Sequence, residues 1–455
     1  MFSQRLLISG LGILGMLGLS FAYEDHSDYI EEIFESGQEV TETCLSCHED
    51  AALEVMATIH WTWKDNAKAV PGHKGKHAIG KLNAFNNYCV AVESNWSRCT
   101  SCHVGYGWKD ANFDFTEEEN VDCLVCHDQT GTYKKDPKGA GMPMKGVDLT
   151  AVARSVGPSS IESCGSCHFY GGGGENVKHG DLDHGLVNAE ASYDVHMGNG
   201  MTCTDCHETE AHNIRGKSMA ILTGEENRVQ CTDCHDEDLH DSKVLNKHAE
   251  KIACQTCHIP QFAKGQPTKM YWDWSTAGKD SSGEKDEYGL DTYLKKKGTF
   301  AWENNVVPEY YWYNGSTARY LKGDKVKPDE VVSLNSPLGD VKDVDAKIYP
   351  FKVMRGKQIY DAKNKYLIVP QLWKGYWDHF DWNKAAKVGM RAAGLRYSGE
   401  YGFVETEMYW GLDHMVSPAE DALKCRACHR GQEKRMDWEA LGYPGDQIIK
   451  KYRKN

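Results

Sequence analysis

The sequence predicts a mainly α-helical chain with much irregular coil, wound around groups other than its own side chains. Three observations carry that prediction. One five-residue pattern, Cys-x-x-Cys-His, occurs eight times, seven of its copies are crowded into residues 44–258, and a long stretch rich in tryptophan and tyrosine has none. The pattern is densest between Cys203 and His258, where Cys203-Thr204-Asp205-Cys206-His207, Cys231-Thr232-Asp233-Cys234-His235 and Cys254-Gln255-Thr256-Cys257-His258 follow one another. The other copies are Cys44, Cys47 and His48; Cys99, Cys102 and His103; Cys123, Cys126 and His127; Cys164, Cys167 and His168; and Cys425, Cys428 and His429.

Two thiols at this spacing with histidine directly after the second are what covalent haem c attachment needs: both sulfurs add to the vinyl groups of one porphyrin, and the imidazole falls under its iron. Structural zinc also uses paired cysteines, but it gives no reason for a histidine in the fifth place every time. Disulfides do not explain the fixed two-residue gap either. Eight covalently bound haem c groups are therefore expected. At roughly thirty residues per haem over residues 44–258, the chain cannot enclose each porphyrin separately, so it is expected to wrap a packed array of eight haems.

In chain order, Arg5, the apolar Leu6 to Ser20 and the small residues Ser20 and Ala22 read as a secretory signal peptide over 1–22, with the mature protein beginning near Tyr23. No other apolar run is long enough to span a membrane, so an exported, soluble, periplasmic protein is expected. Residues 23–261 form a haem-rich region with seven motifs, 262–396 an aromatic-rich haem-free segment, and 397–455 a C-terminal helical segment with the eighth motif. Residues 51–63 read as one amphipathic helix with Leu53, Met56, His60 and Trp63 on a buried face. His60 lies twelve residues beyond His48, about 18 Å if helical, too far to return to its own iron, which makes it a candidate sixth ligand for a neighbour.

Residues 70–97 read as a long loop, and within it Cys89 is the seventeenth cysteine, left over once the motifs are filled. Ser159 and Glu162 suggest a capping box for the helix carrying Cys164 to His168. Gly171 to Gly174 lacks the lysine of a phosphate loop and reads as backbone that approaches a haem or substrate closely. His212 and His240 each follow a motif by five residues, too few to wrap a porphyrin edge, so they are assigned to other haems, and His248 is a similar candidate. A small β-hairpin is expected over 299–320 in the haem-poor segment, a helix over 381–395, and a helix capped by Ser417 and Pro418 leading into the last motif.

The formal charge of −14 becomes one unit more negative when Arg5 leaves with the leader, which excludes nucleic acid as a partner. Twelve histidines lie outside the motifs, enough to give every iron two imidazoles, so counting alone leaves a pure electron conduit open.

The motif order, with Asn86-Asn87-Tyr88-Cys89, Gly105-Tyr106-Gly107-Trp108-Lys109-Asp110, the glycine run leading into Lys178-His179-Gly180-Asp181, and Tyr310-Tyr311-Trp312-Tyr313-Asn314-Gly315, resembles octahaem tetrathionate reductase over nearly the whole mature chain. The resemblance implies that the haem on Cys99 and Cys102, with His103, takes the amine of Lys178 as its other ligand, beside the free thiol of Cys89 and the carboxylate of Glu175. Glu175 stands where the family more commonly has aspartate. It implies bis-histidine ligation for the other seven irons, with His26, His60, His179, His196, His212, His240, His248 and His414 as candidates, one more than seven irons use. A structural Ca2+ is implied as well, without a loop signature in this chain.

The activity implied is reduction of tetrathionate to thiosulfate, and of nitrite or hydroxylamine, with electrons from a redox protein or a quinol-linked donor. A non-enzymatic or filament-forming electron conduit is the alternative. An oxidase of hydroxylamine or hydrazine is a third reading, and it lacks a recognisable tyrosine–porphyrin motif.

Overall fold

The structure, a computed structural model, describes residues 25–220, 227–429 and 435–446. The leader peptide expected over 1–22 lies outside the described residues, and among the described residues no helix is long and apolar enough to cross a membrane.

The N-terminal half is built from short helices joined by coil. Helix α1 (Gly37–Leu45) starts at Ser36, whose hydroxyl accepts from Glu39 N while the Glu39 carboxylate accepts from Ser36 N, so two end donors are satisfied reciprocally. The single helix expected over 51–63 is two pieces, α2 (Ala51–Met56) and α3 (Ile59–Thr62). Thr58 is extended and its hydroxyl donates back to Val55 O at 2.7 Å, a side-chain bond that competes with helix continuation. The break also rotates the faces: Ala52 and Trp61 are buried, whereas Leu53 is 51% exposed. Helix α4 (Ile161–His168) carries the fourth motif, and its capping pair is Ser160 with Ser163, one residue on from the pair expected. The helix expected before the last motif reduces to a 3-10 turn at Ala419–Asp421.

Several other motifs occupy a single turn, among them Leu124–His127, Cys203–Cys206, Cys254–His258 and Cys425–Cys428. One turn puts thiols three residues apart on the same face. Turns this short do not persist alone and need an external partner.

The C-terminal half departs from the mainly α expectation. It contains a seven-stranded sheet made of β1 (Thr268–Asp273), β2 (Tyr293–Leu294), β3 (Gly298–Glu303), β4 (Glu309–Tyr313), β5 (Val332–Ser333), β6 (Lys347–Asp361) and β7 (Tyr401–Gly411). The spatial order is β5-β7-β6-β1-β3-β2, with β4 also on β6. Strand β6 is the spine: Phe351 to Asp361 pairs antiparallel with β7, and its other edge takes β4 at Tyr349 and then β1, in parallel, at Gly356. It is buried almost throughout because both faces are covered. The hairpin expected over 299–320 is absent, since β3 pairs with β1 and β2 while β4 pairs with β6.

Helix α5 (Trp382–Ala392) agrees with expectation, with Asp381 accepting from Lys384 N at its start. It packs so closely on Val369 that a Cβ at Gly389 would stand 1.9 Å from the Val369 carbonyl oxygen. Trp272, Trp274, Met354, Trp382 and Trp410 form part of one large apolar core in this half. From the first half Phe85, Tyr88, Val90 and Val177 join this core, and its other buried apolar residues form small separate clusters, such as Ile30, Val40, Leu124 and Val152. Between them runs one cavity of about 4350 Å3, walled by the cysteines of all eight motifs.

Candidate metal centres and active site

Seven motif histidines face a second imidazole across the cavity. The ring-centre separations are 6.4 Å for His48 and His26, 6.4 Å for His127 and His212, and 6.2 Å for His168 and His60. They are 6.3 Å for His207 and His414, 6.2 Å for His235 and His196, 6.4 Å for His258 and His240, and 6.3 Å for His429 and His248. Two imidazoles bound to one metal through Nε2 at about 2.0 Å, each ring centre about 1.1 Å further out, stand about 6.3 Å apart. The spacing therefore fits a bis-imidazole iron in each case.

The Nδ1 atoms are occupied in several of these rings. His127 donates to Gly157 O and His207 to Arg215 O, both at 2.8 Å, and His429 pairs with Asp446 at 2.9 Å. Across the cavity, His212 meets Glu54 at 2.7 Å, His248 donates to Val244 O at 2.7 Å, and His414 meets Asp181 at 3.3 Å. A fixed Nδ1 selects the tautomer that leaves Nε2 for metal.

His103 is different. It is fully buried, and its Nε2 donates to Trp61 O at 2.7 Å. Trp61, Trp108 and Phe113 surround it at ring separations of 5.0, 4.7 and 5.6 Å, and burial pushes its pKa down to about 3. The ring faces this aromatic box, and His103, unlike the other motif histidines, is not among the residues that line the cavity. The attachment cysteines Cys99 and Cys102 do line the cavity.

Lys178 also lines the cavity. Its Nζ donates to Cys167 O at 3.3 Å, and the Cys102 and Cys167 thiols act on its charge, which places it between the second and fourth motifs. Burial lowers its pKa to about 8. A buried partner holds its backbone: Lys352, fully buried on β6, donates to Val177 O at 2.8 Å, to Lys178 O at 3.0 Å and to Thr268 Oγ1 at 2.6 Å.

Cys89 lines the cavity with its thiol in hydrogen-bonding reach of Cys99, and its N–H donates to Asn86 Oδ1 at 2.7 Å. The glycine run explains this approach, because a Cβ on Gly172 would lie 2.5 Å from Tyr88 O and 2.6 Å from Cys89 Cβ. The close contact expected of these glycines is thus with the Cys89 loop.

One expected site residue is not brought to Lys178. Glu175 accepts from His184 N at 2.8 Å and meets His184 Nδ1 at 2.8 Å, so its carboxylate is already engaged. His179 lines the cavity with its ring 4.7 Å from Trp410, and among the described residues no motif histidine stands opposite it. Among the described residues no group of three or more His, Cys, Asp or Glu side chains forms an ion cage, so the implied Ca2+ gains no site.

Cysteines of different motifs also meet. Cys44 reaches Cys123, Cys102 reaches Cys167, Cys164 reaches Cys203, and Cys231 reaches Cys254, each at hydrogen-bonding range. The thiols of Cys126 and Cys164, Cys206 and Cys234, and Cys257 and Cys428 are close enough to feel one another's charge. Sequence reasoning missed Lys352 and the cations Lys81, Arg98, Lys269 and Lys297 near Cys89 and Cys99. They lie far apart in the chain and carry no shared motif.

The chain is similar to known cytochromes c. The family described as bacterial cytochrome c matches residues 269–432, and that described as cytochrome c7 and related cytochrome c matches residues 189–259. An octahaem cytochrome c of Shewanella oneidensis, known from a crystal structure, is 51% identical, with 94% of this chain and 98% of that one covered and a TM-score of 0.89. An uncharacterized protein of Archaeoglobus fulgidus is 29% identical over 252 residues, which is 44% of this chain and 83% of the other.

Proposed function

Since the chain belongs to the octahaem c-type cytochromes of the tetrathionate reductase type, we propose that it is a periplasmic reductase, delivering electrons to a single lysine-ligated centre at Cys99 and Cys102. Its substrates on this reading are tetrathionate, which two electrons split into two thiosulfates, and also nitrite or hydroxylamine. One observation carries the reading: seven motif histidines have an imidazole across from them, and the eighth, His103, is turned into an aromatic box while Lys178 stands at the cavity wall.

Bound haem c supplies one-electron transfer at every iron and, where one axial position is left to substrate, a place for reduction. The chain's own residues divide that work. Paired imidazoles hold seven irons closed to ligands, which suits storage and relay. Lys178, whose carbonyl accepts from Lys352, would supply an amine to the eighth, and His103, engaged with Trp61 O, would not compete with it. Cys89 is a thiol within reach of a sulfur substrate there.

On this reading the cysteine contacts support a relay running through the first, third, fourth, fifth, sixth, seventh and eighth motifs, with the second joined to the fourth. A redox protein or quinol-linked donor would load it. The test is to mix fully reduced holoprotein with tetrathionate, nitrite and hydroxylamine in turn. Rapid reoxidation that Lys178→Ala slows at least tenfold is expected. Equal, slow reoxidation of both proteins would leave only an electron conduit.

A further inference from the structure

The paired imidazoles differ in what their outer nitrogen meets. In the third, fifth and eighth pairs it meets a carboxylate: His212 with Glu54 Oε2 at 2.7 Å, His414 with Asp181 Oδ2 at 3.3 Å, and His429 with Asp446 Oδ1 at 2.9 Å. Asp181 is buried, and its Oδ2 is aimed by the N–H groups of Asp413 and His414. The Lys352 ammonium acts on Asp181 from further away, because its own N–H groups are taken up by Val177 O, Lys178 O and Thr268 Oγ1. The fourth pair is built otherwise. Among the described residues neither His60 nor His168 has a carboxylate on its ring, and the Lys81 ammonium acts on both. The seventh pair uses neutral acceptors, Asn246 Oδ1 for His240 and Ser417 O for His258.

A carboxylate on the outer N–H draws its proton away from the ring and makes the imidazole a stronger donor to metal. Its negative charge also lies near the iron. Both effects favour Fe(III), which carries one more positive charge than Fe(II), and so lower the reduction potential. A nearby cation acts in the opposite sense. The cysteine contacts give these differences a direction. They join the fourth motif to the third through Cys126 and Cys164, and to the fifth through Cys164 and Cys203. The fourth is also the motif joined to the second, through Cys102 and Cys167. The centre without a carboxylate thus stands between two that have one.

We propose that Glu54 and Asp181 are positioning residues that lower the potentials of the third and fifth haems through His212 and His414, so that electrons from both arms of the relay collect at the fourth haem. Each transfer moves one electron from Fe(II) of the third or fifth haem to Fe(III) of the fourth, with no bond made or broken. The step in potential belongs to the relay itself. Its use, holding electrons one transfer away from the centre at Cys99 and Cys102, rests on the reductase reading.

Redox titration of substrate-free holoprotein, followed by electron paramagnetic resonance of the low-spin irons, tests the step without turnover. The signal lost in His60→Ala identifies the fourth haem. Glu54→Gln and Asp181→Asn keep an oxygen acceptor in place and remove its charge. Each should raise the midpoint of one haem by at least a tenfold change in its reduction equilibrium, about 59 mV for one electron. Glu400→Gln, which removes an exposed carboxylate paired with Lys363, should move none. In the parent protein the fourth haem should be reduced at a higher potential than the two haems these variants shift. Unmoved midpoints in both variants, or a fourth haem reduced at a lower potential than those two, would overturn the proposal. The expected order in a protein that fails to consume tetrathionate would support the step and sink the reductase reading alone.

Discussion

Lys178 and Lys352 show how one buried side chain sets up another. All three N–H groups of the Lys352 ammonium find oxygen acceptors, two of them carbonyls of the segment that presents Lys178. Lys352→Met leaves those carbonyls buried and unpaired and should cost about 2 to 4 kcal/mol, seen as a lower melting temperature together with a change in the spectrum of the one unusual haem. The imidazoles make a sharper contrast. His60→Ala removes the ring 6.2 Å from His168 and should convert one low-spin iron to high spin in electron paramagnetic resonance, whereas His179→Ala should leave all seven bis-imidazole signals in place. Position in the sequence told these two histidines apart only once each was set against a partner. His212, His240 and His248 were legible as ligands of distant irons because chain length forbids the near ones, whereas no such short spacing marks His179, whose ring meets Trp410 and no motif histidine among the described residues. What separates it is three-dimensional registry, which no spacing encodes.

At the level of elements, local signals held where the chain satisfies itself and failed where distant segments choose partners. Asp381 and the apolar spacing after it were enough to place α5. Its backbone bond from Lys384 holds the Asp381 carboxyl below the ordinary carboxylate range. The cap's contribution, about 1 kcal/mol, is thus complete above the unfolded aspartate value of about 3.9 and is lost as pH falls through the lowered folded value. Urea titrations of Asp381→Ala and the parent protein should differ at pH 7 and converge in strong acid.

The strands β3 and β4 were visible as aromatic β-formers, but their pairing with β1 and β6 is set by Thr268 to Asp273 and Lys347 to Asp361, beyond the reach of a local hairpin reading. The glycine run was read as a close approach, and the structure supplies its neighbour. Gly172→Ala sets a Cβ against the Tyr88 carbonyl and should push the Cys89 loop outward, measurable as faster alkylation of Cys89 in the holoprotein.

For the whole molecule, the two halves are held by different means. Residues 268–411 bury a contiguous set of tryptophans and aliphatic side chains, joined by Phe85, Tyr88, Val90 and Val177, while the rest of residues 25–258 bury small apolar clusters around a cavity walled by haem-attachment cysteines. Chain produced without haem attachment should accordingly yield a protease-resistant fragment from the sheet half and none from the motif half, read by mass spectrometry of the digest. The contact of Cys102 with Cys167 bears on traffic through the complete protein. On the proposed reading it would make the reducing station a siding off a through line, so that charge would shuttle between the two extremities while the station waits for a substrate. Severing the siding would abolish turnover and leave the through line conducting.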